Sequence, residues 1–268
     1  MAFVSQEVEA GAGPWLVFGG PVSNWHAVRA LRAEAARLKI PPERVLCTGD
    51  LAAYCGDPGR TVAEIRDWSC HVVAGNCERQ LASGASDCGC GFETGTTCDA
   101  LSGAWYAHAA AELDAEARAW MAGLPDEIVM GEAVAIHGGW TDISRFLWPI
   151  TPEDAFAEEL AERARLTCNP APHMVLAGHC GLSFTRRIAG TTWVNAGTLG
   201  MPPHDGRPET CYVILDGGTV RHRRLDYDWR SAQARMRAVG LVQGYDTTLE
   251  TGWWPSEDIL PHALCRRS

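Results

Sequence analysis

The 268-residue sequence predicts an α/β protein, a four-layer α/β/β/α sandwich in which two mixed sheets pack face to face between outer helices. Short apolar runs alternate with helical patterns through residues 15–76, which is typical of parallel strands joined by helices. Glycine pairs separate β-rich runs in the second half, which is typical of hairpins. The length allows one large domain with a sizeable core.

Individual elements follow from local patterns. "WLVFGG" is expected to form a buried strand, and Ser23-Asn24 is expected to cap the helix after it. "RVLCTGD" and "CHVVAGN" are predicted as the next two strands, separated by a helix with Asp57 at its cap and Pro58 at its first position. "EIVMGEAVAIHGG" predicts a hairpin that turns at Gly131-Glu132. An acidic helix and three β-rich segments, "HMVLAGHC", "SFTRRIAGTTWVNAG" and "CYVILDGGTVRHRRLDYD", complete the pattern.

These patterns suggest three parts of the chain. We expect an N-terminal extension (1–14), a main domain (15–228) that contains a cysteine-rich insert (82–98), and a C-terminal helix and tail (229–268). Trp253 and Trp254 in the tail would either close over a pocket or bury against the domain.

Composition excludes several classes of function. A formal net charge of -10 argues against nucleic-acid binding, because no face could be strongly basic without extreme segregation of charge. No apolar run is long enough to span a membrane, and the N-terminus lacks a basic region followed by an apolar one, so a cytoplasmic location is expected. The eleven cysteines are then expected to be thiols or metal ligands rather than disulfides. Homo-oligomerisation is left open.

Five strand-end segments occur in a characteristic order: "FGGPVSNWHA", "TGDLAAYCGDP", "AGNCE", "IHGG" and "AGHCG", the last followed by "VNAGTLGMP". This order and spacing resemble those of the calcineurin-like metallophosphoesterases, particularly the small bacterial phosphodiesterase branch, over residues 15–228. The resemblance implies a metal-dependent phosphoesterase that hydrolyses a phosphomonoester or phosphodiester of a small molecule.

The resemblance also implies a set of metal ligands. Members of the family bind two metal ions, and the ligands of the second ion are all present here as Asp50, Asn76, His137 and His179. The side chains that only the first ion uses are missing, because Gly20, Val22 and Gly181 stand at those positions. A carboxylate, an amide oxygen and two imidazoles suit a divalent transition metal such as Zn, Mn or Fe, with coordination positions left for water or substrate.

Cys77 stands where the family has a histidine, and Glu78 keeps the acidic position beside it. A thiol beside a metal ion loses its proton more readily, so Cys77 would serve as a nucleophile, a soft ligand or an acid. The alternative is that Cys77 only fills space. Under the first reading, a metal-activated water or Cys77 attacks and Glu78 orients the neighbouring group.

Other cysteines would supply a second, thiolate-bound metal. Cys88 and Cys90 have only glycine between them, and with Cys77 or Cys180 they would reach one ion. A closed structural zinc site and a redox-labile pair are the alternatives. The full set of candidate additional ligands is Cys55, Cys88, Cys90, Cys98 and Cys180.

Four residues are candidates for substrate binding. Ser23 and Asn24 begin a helix where backbone N–H groups favour an anion, although a plain N-cap is the simpler interpretation. Arg145 would clamp a phosphate, and His204 lies in a loop that would reach the substrate. Asn195 and Gly197 are expected to hold the geometry of a turn beneath the site.

Two other hypotheses accompany the phosphoesterase. One is a different enzyme on the same scaffold, in which thiolates and a redox metal act on a sulfur-, arsenic- or oxygen-containing substrate. The other is a non-catalytic protein that binds a metal or ligand, or a regulatory subunit.

Overall fold

The computed structural model describes residues 3–266 and contains two sheets. The smaller sheet has five strands, in the spatial order β11 (Thr219–Leu225), β10 (Thr210–Asp216), β2 (Trp15–Phe18), β3 (Val45–Cys47) and β4 (His71–Val72). Strands β2, β3 and β4 are parallel, as their alternation with helices predicts, and β10 joins β2 in the antiparallel sense.

The larger sheet has six strands, in the spatial order β1 (Ser5–Glu7), β5 (Glu127–Met130), β6 (Ala133–Ala135), β7 (Met174–Ala177), β9 (Thr191–Ala196) and β8 (Ser183–Ile188). The hairpin predicted at Gly131-Glu132 is confirmed, because β5 and β6 pair antiparallel across it. Strand β1 comes from the stretch expected to be an extension, and it pairs in parallel with β5 at the edge of this sheet.

Between residues 3 and 266, eight helices connect or cover the strands: α1 (Trp25–Arg37), α2 (Pro58–Trp68), α3 (Asn76–Ser83), α4 (Thr97–Glu112), α5 (Ala115–Ala122), α6 (Glu153–Thr167), α7 (Trp229–Ala238) and α8 (Tyr245–Thr251). Short 3-10 turns lie at Pro42–Arg44 and His262–Leu264. Within residues 3–266, none of the helices combines the length and the hydropathy needed to cross a bilayer.

Alternation of side chains along the strands builds the layers. In β2, Trp15 and Val17 contribute to a core between the sheets, whereas Leu16 and Phe18 contribute to a second core beneath helices including α1 and α2. A third core packs Phe156 and Leu160 of α6 against the outer face of the larger sheet. The predicted four-layer architecture is therefore confirmed.

Local capping agrees with the sequence at one helix and differs at another. Asn24 caps α1 by accepting a hydrogen bond from the backbone N–H of Ala27. Asp57 occupies the cap position of α2 without making the side-chain cap hydrogen bond, because its carboxylate instead accepts one from Arg235 of α7 at 3.0 Å. Asp57 thus joins α2 to the C-terminal part of the chain.

Candidate metal centre

Four polar side chains converge where strands of both sheets end. Asp50 follows β3 and Asn76 follows β4 in the smaller sheet, whereas His137 and His179 follow β6 and β7 in the larger sheet. Both strand pairs are parallel, so their carboxyl ends lie at the same edges and bring the four turns together.

His137 lies at the middle of this group. Its Nε2 is 3.0 Å from Asn76 Oδ1, 3.1 Å from His179 Nδ1 and 3.3 Å from Asp50 Oδ2. Ligands held at about 2.1 Å from one tetrahedral zinc ion lie roughly 3.4 Å apart. The three distances from His137 Nε2 are slightly shorter than that, and the ligand atoms of Asp50, His137 and His179 all lie within 4.8 Å of one another. The donor set fits a single divalent transition metal, and one cation would separate atoms that now crowd one another.

A second hydrogen bond sets the orientation of His137. Its Nδ1 lies 2.6 Å from the carbonyl oxygen of Thr48 and therefore donates its proton to it. A metal-binding histidine commonly donates its other ring N–H to a backbone carbonyl in this way, which leaves Nε2 to face the ion. The His137 side chain is buried, so the surrounding residues restrict the orientation of its ring.

The electrostatics of the group also suit a cation. Burial disfavours the charged carboxylate of Asp50, but the neighbouring His137 imidazolium outweighs burial and lowers the pKa of Asp50 to about 2. Burial likewise disfavours protonation of His137, but Asp50 outweighs it and raises the pKa of His137. Burial and the charge of His137 lower the pKa of His179 to about 3, so His179 stays neutral. The lowered pKa values of Asp50 and His179 keep a carboxylate and a neutral imidazole available as ligands.

Two glycines allow the turns to approach one another. A Cβ at Gly49 would lie 2.6 Å from the backbone nitrogen of Gly75 and 2.9 Å from Nδ1 of His137. A Cβ at Gly75 would lie 2.5 Å from Oδ1 of Asp50. The Gly-Asp and Gly-Asn pairs are therefore needed because any larger residue would push the ligands apart.

A cavity of about 60 Å³ lies beside the centre. Asp50 and His179 reach its wall, which otherwise carries many aromatic side chains, among them Tyr54, Phe92, Phe146, Tyr245 and Trp254. Of residues 3–266, no lysine or arginine lines this cavity. A ligand would therefore meet the metal centre through a largely apolar chamber.

Apolar groups crowd the positions where the resemblance places missing ligands. A Cβ at Gly181 would lie 3.0 Å from Cζ2 of Trp254, and a Cβ at Gly20 would lie 2.9 Å from Cγ1 of Val22. In the part of the chain that the structure describes, Asp50, His137 and His179 form the sole group of three or more His, Cys, Asp or Glu side chains with ligand atoms within 4.8 Å of one another.

Cys77 does not line the cavity. Its side chain is 1% exposed and packs within the core beneath the helices. Burial, together with the charges of Asp50 and Glu78, raises the pKa of the Cys77 thiol well above its usual value. Its Sγ lies 3.6 Å from Nδ2 of Asn76, so the thiol stands directly behind one of the candidate ligands, and its role as nucleophile, ligand or space-filling residue stays a prediction.

Glu78 holds the backbone around the centre. Its Oε2 accepts hydrogen bonds from the backbone N–H of Asp50 at 2.7 Å and of Gly75 at 2.8 Å, and its Oε1 accepts one from Leu51 at 2.8 Å. Burial and the charge of Asp50 raise the pKa of the Glu78 carboxyl, and the backbone N–H groups of Leu51 and Gly75 oppose that rise. Glu78 thereby ties the Asp50 turn to the Asn76 turn.

The remaining cysteines do not gather around one ion. Cys88 and Cys90 are paired with each other as a disulfide, so neither is free as a ligand, and the expectation of thiols is wrong for this pair. The pair still contacts the centre, because Asn76 Nδ2 donates to the carbonyl oxygen of Cys88 at 2.9 Å. Cys98 and Cys180 line the cavity as buried free thiols, and burial raises the pKa of Cys180 to about 12. Cys55 lies away from the cavity, 3.8 Å from the Gly200 carbonyl oxygen.

The candidate substrate-binding residues make other contacts. Asn24 donates to the Gly200 carbonyl and to Tyr227 while it caps α1, and Ser23 is buried away from the cavity wall. Arg145 bonds Glu158 and Glu159, each at 2.7 Å, so it is engaged in ion pairs rather than free to clamp a phosphate.

His204 is buried among C-terminal contacts. Its Nδ1 accepts a hydrogen bond from the backbone N–H of Trp254, and its Nε2 lies 2.7 Å from Glu257. It therefore holds the C-terminal segment, and it is not among the residues that line the cavity.

Two contributors to the site were not identified as such from the sequence. Thr48 orients His137 through its carbonyl, a role available to any residue type, so no sequence signal marks it. Phe146 packs on His179 with ring centroids 4.3 Å apart, and its only sequence signal is its place in the apolar stretch after the fourth motif.

Two packed sheets between helices, with a carboxylate, an amide and two imidazoles at their common edge, define an α/β protein of the metallophosphoesterase class. Residues 20–219 match the family model described as the calcineurin-like phosphoesterase superfamily domain. The chain belongs to that superfamily, and the resemblance in the motifs is confirmed.

Solved structures agree on the fold. A metallophosphoesterase from Sphaerobacter thermophilus is 20% identical, with a TM-score of 0.69, and the match covers 90% of this chain and all of that one. A hypothetical protein from Pyrococcus horikoshii OT3 is 16% identical, with a TM-score of 0.72, and the match covers 89% of this chain and 98% of that one. No curated protein matches the chain.

Proposed function

We propose that the protein hydrolyses a phosphoester of a small molecule and uses one divalent transition metal, Zn, Mn or Fe, held by Asp50, Asn76, His137 and His179. The observation that carries the proposal is the position of His137 Nε2, within 3.0–3.3 Å of a donor atom on each of the other three side chains. Membership of the phosphoesterase superfamily supports the reaction class.

A metal ion in such a site polarises a phosphoryl oxygen and lowers the pKa of a bound water. The chain itself fixes the donors: Thr48 orients His137, and Glu78 holds the Asp50 and Gly75 backbones. Asp50 and His179 lie in the cavity wall, so a phosphate that enters the cavity meets the centre on their side. Cys77 takes no part in this proposal, because it does not line the cavity.

A second candidate is a non-catalytic protein that binds a metal or ligand. The apolar side chains of Val22 and Trp254 beside Gly20 and Gly181 favour it, because they leave little room for a second ion to share the work of phosphoryl transfer. The arrangement does not favour an enzyme that depends on thiolates, because no cysteine among the described residues belongs to a cluster of three metal-ligating side chains.

The test is turnover after chelation and reloading with Zn, Mn or Fe, with bis(p-nitrophenyl) phosphate and p-nitrophenyl phosphate as substrates. His137→Gln should lose metal and at least a hundredfold in kcat/KM, as removal of a metal ligand implies. His108→Gln is the matched control, because His108 contacts the Gly56 carbonyl at 3.2 Å outside the cavity wall. Metal binding without turnover of either ester would overturn the hydrolase and favour the second candidate.

A further inference from the structure

The C-terminal segment forms a fixed wall of the cavity. Tyr245, Trp254, Ser256 and Ile259 all lie on that wall. Trp254 is held at three points: its backbone N–H donates to His204, its indole N–H donates to the Pro202 carbonyl at 2.8 Å, and its ring packs on Gly181. The adjacent Trp253 packs instead on Gly206 and His204 and is not on the wall.

This wall gives the chamber an apolar, aromatic character. The rings of Tyr54 and Tyr245 lie 4.7 Å apart, and Phe146 covers His179. Flat, rigid aromatic walls recognise rings and other apolar groups, since they bury apolar area and offer offset or edge-to-face contacts.

Charge limits the phosphate that this chamber would hold. A divalent ion beside the Asp50 carboxylate leaves at most about one net positive charge, because the buried carboxyl of Glu78 lies next to Asp50 and no lysine or arginine of the described residues lines the cavity. A phosphomonoester carries nearly two negative charges at neutral pH, because its second pKa is about 6. A phosphodiester carries one, which matches the site.

Building on the proposed function, we infer that the substrate is a monoanionic phosphodiester with at least one aromatic or apolar alcohol group, and that Trp254 selects it. The ester group would lie between Trp254, Tyr245 and Phe146, with the phosphate directed at Asp50 and His179. Trp254 acts by binding, and no proton or bond change is assigned to it.

Binding can be measured separately from turnover. Isothermal titration of the metal-loaded protein with diphenyl, diethyl and phenyl phosphate should show diphenyl phosphate bound at least tenfold more tightly than either of the others. Trp254→Ala should weaken diphenyl phosphate about tenfold and leave diethyl phosphate within twofold. Trp253→Ala, the same change one residue away, should leave both unchanged, and thermal melts would confirm that both variants fold.

The outcomes separate the two proposals. Retained preference for diphenyl phosphate without hydrolysis of any ester would sink the hydrolase and support this inference. Equal or tighter binding of phenyl or diethyl phosphate by the wild-type protein would overturn the inference, even if diesters are hydrolysed. If Trp254→Ala does not fold, Trp254→Phe should keep most of the diphenyl preference, and the wild-type order of affinities alone still decides.

Discussion

The indole of Trp254 lies directly against Gly181, with the position of an added Cβ 3.0 Å from its Cζ2 and 3.1 Å from its Cη2. Residue 181 is where the resemblance to the superfamily places a histidine ligand of a further metal ion. An apolar ring from the C-terminal segment therefore stands next to the place from which that ligand would extend.

Restoring a histidine at this position should therefore fail to restore a ligand. Gly181 has φ +79, so Gly181→His should cost about 1 kcal/mol in backbone strain and about 1–3 kcal/mol in overpacking against Trp254. In a double-mutant cycle followed by urea unfolding, Gly181→His should cost only the backbone part when it is made in the Trp254→Ala protein. Gly84→His is a matched control, because Gly84 has φ +70 with open space around it and should lose only the backbone part. Unchanged stability of Gly181→His would contradict the packing described here.

Glu78→Gln should weaken both the fold and the metal centre. Glutamine offers one acceptor oxygen and an NH2 group in place of two carboxylate oxygens that accept three backbone N–H groups. We expect a loss of about 2–4 kcal/mol in unfolding free energy and at least a tenfold loss in metal affinity, measured by urea unfolding and competition with a chelator. Glu127→Gln, at a buried carboxylate paired with Arg163, should lose stability but keep metal affinity. An unaltered metal affinity for Glu78→Gln would show that the Asp50 turn does not depend on Glu78.

Cys77→Ala should keep its activity. Because the thiol does not line the cavity, kcat should stay within about threefold of wild type, while loss of the buried sulfur should lower stability by about 1 kcal/mol. Cys211→Ala, at another buried thiol, provides the comparison for stability. Complete loss of turnover with metal still bound would reinstate Cys77 as the nucleophile.

The metal-free protein should lose stability in acid. The pKa of His179 is about 3 in the folded protein and about 6.5 in the unfolded chain. Between these two values the unfolded chain binds a proton at His179 and the folded protein does not. The contribution of His179 to the free energy of unfolding is therefore fully present above pH 6.5, and it falls as the pH drops toward 3. Asp50, with its pKa lowered to about 2, adds a further loss below about pH 4. The raised pKa of His137 acts in the opposite window, since its contribution is present below pH 6.5 and declines above it.

Urea unfolding in EDTA between pH 3.5 and 8 tests this behaviour. His179→Gln should flatten the slope between pH 6.5 and 3.5 without removing it, because burial also lowers the pKa values of His26 and His222. An identical slope in the variant would mean that His179 is protonated in the folded protein.

Local pattern predicted the alternating strands and helices, and the resemblance to the calcineurin-like metallophosphoesterases supplied the four side chains that converge. Asp50, Asn76, His137 and His179 each follow an apolar strand, and the carboxyl ends of parallel strands share an edge. The glycines before Asp50 and Asn76 can also be recognised in the sequence, because turns that approach one another this closely leave no room for a Cβ.

Contacts between distant segments were not predictable. Nothing near Gly181 in the chain indicates that Trp254, 73 residues later, would pack on it. Nor does the spacing of Cys88 and Cys90 distinguish a metal ligand from a disulfide, because the same two sulfurs can reach an ion or each other. The sequence does not show that Arg145 has partners, but in the fold it forms ion pairs with Glu158 and Glu159 of α6.

Metal stoichiometry combined with anomalous scattering would show whether the four side chains hold one ion. Crystals of metal-loaded protein should show a single ion per chain, within about 2.0–2.3 Å of donor atoms of Asp50, Asn76, His137 and His179, and elemental analysis should return one equivalent. His137→Gln should return much less than one. Two equivalents with a second ion beside Gly20 and Gly181, or an ion bound elsewhere by cysteines, would contradict the account.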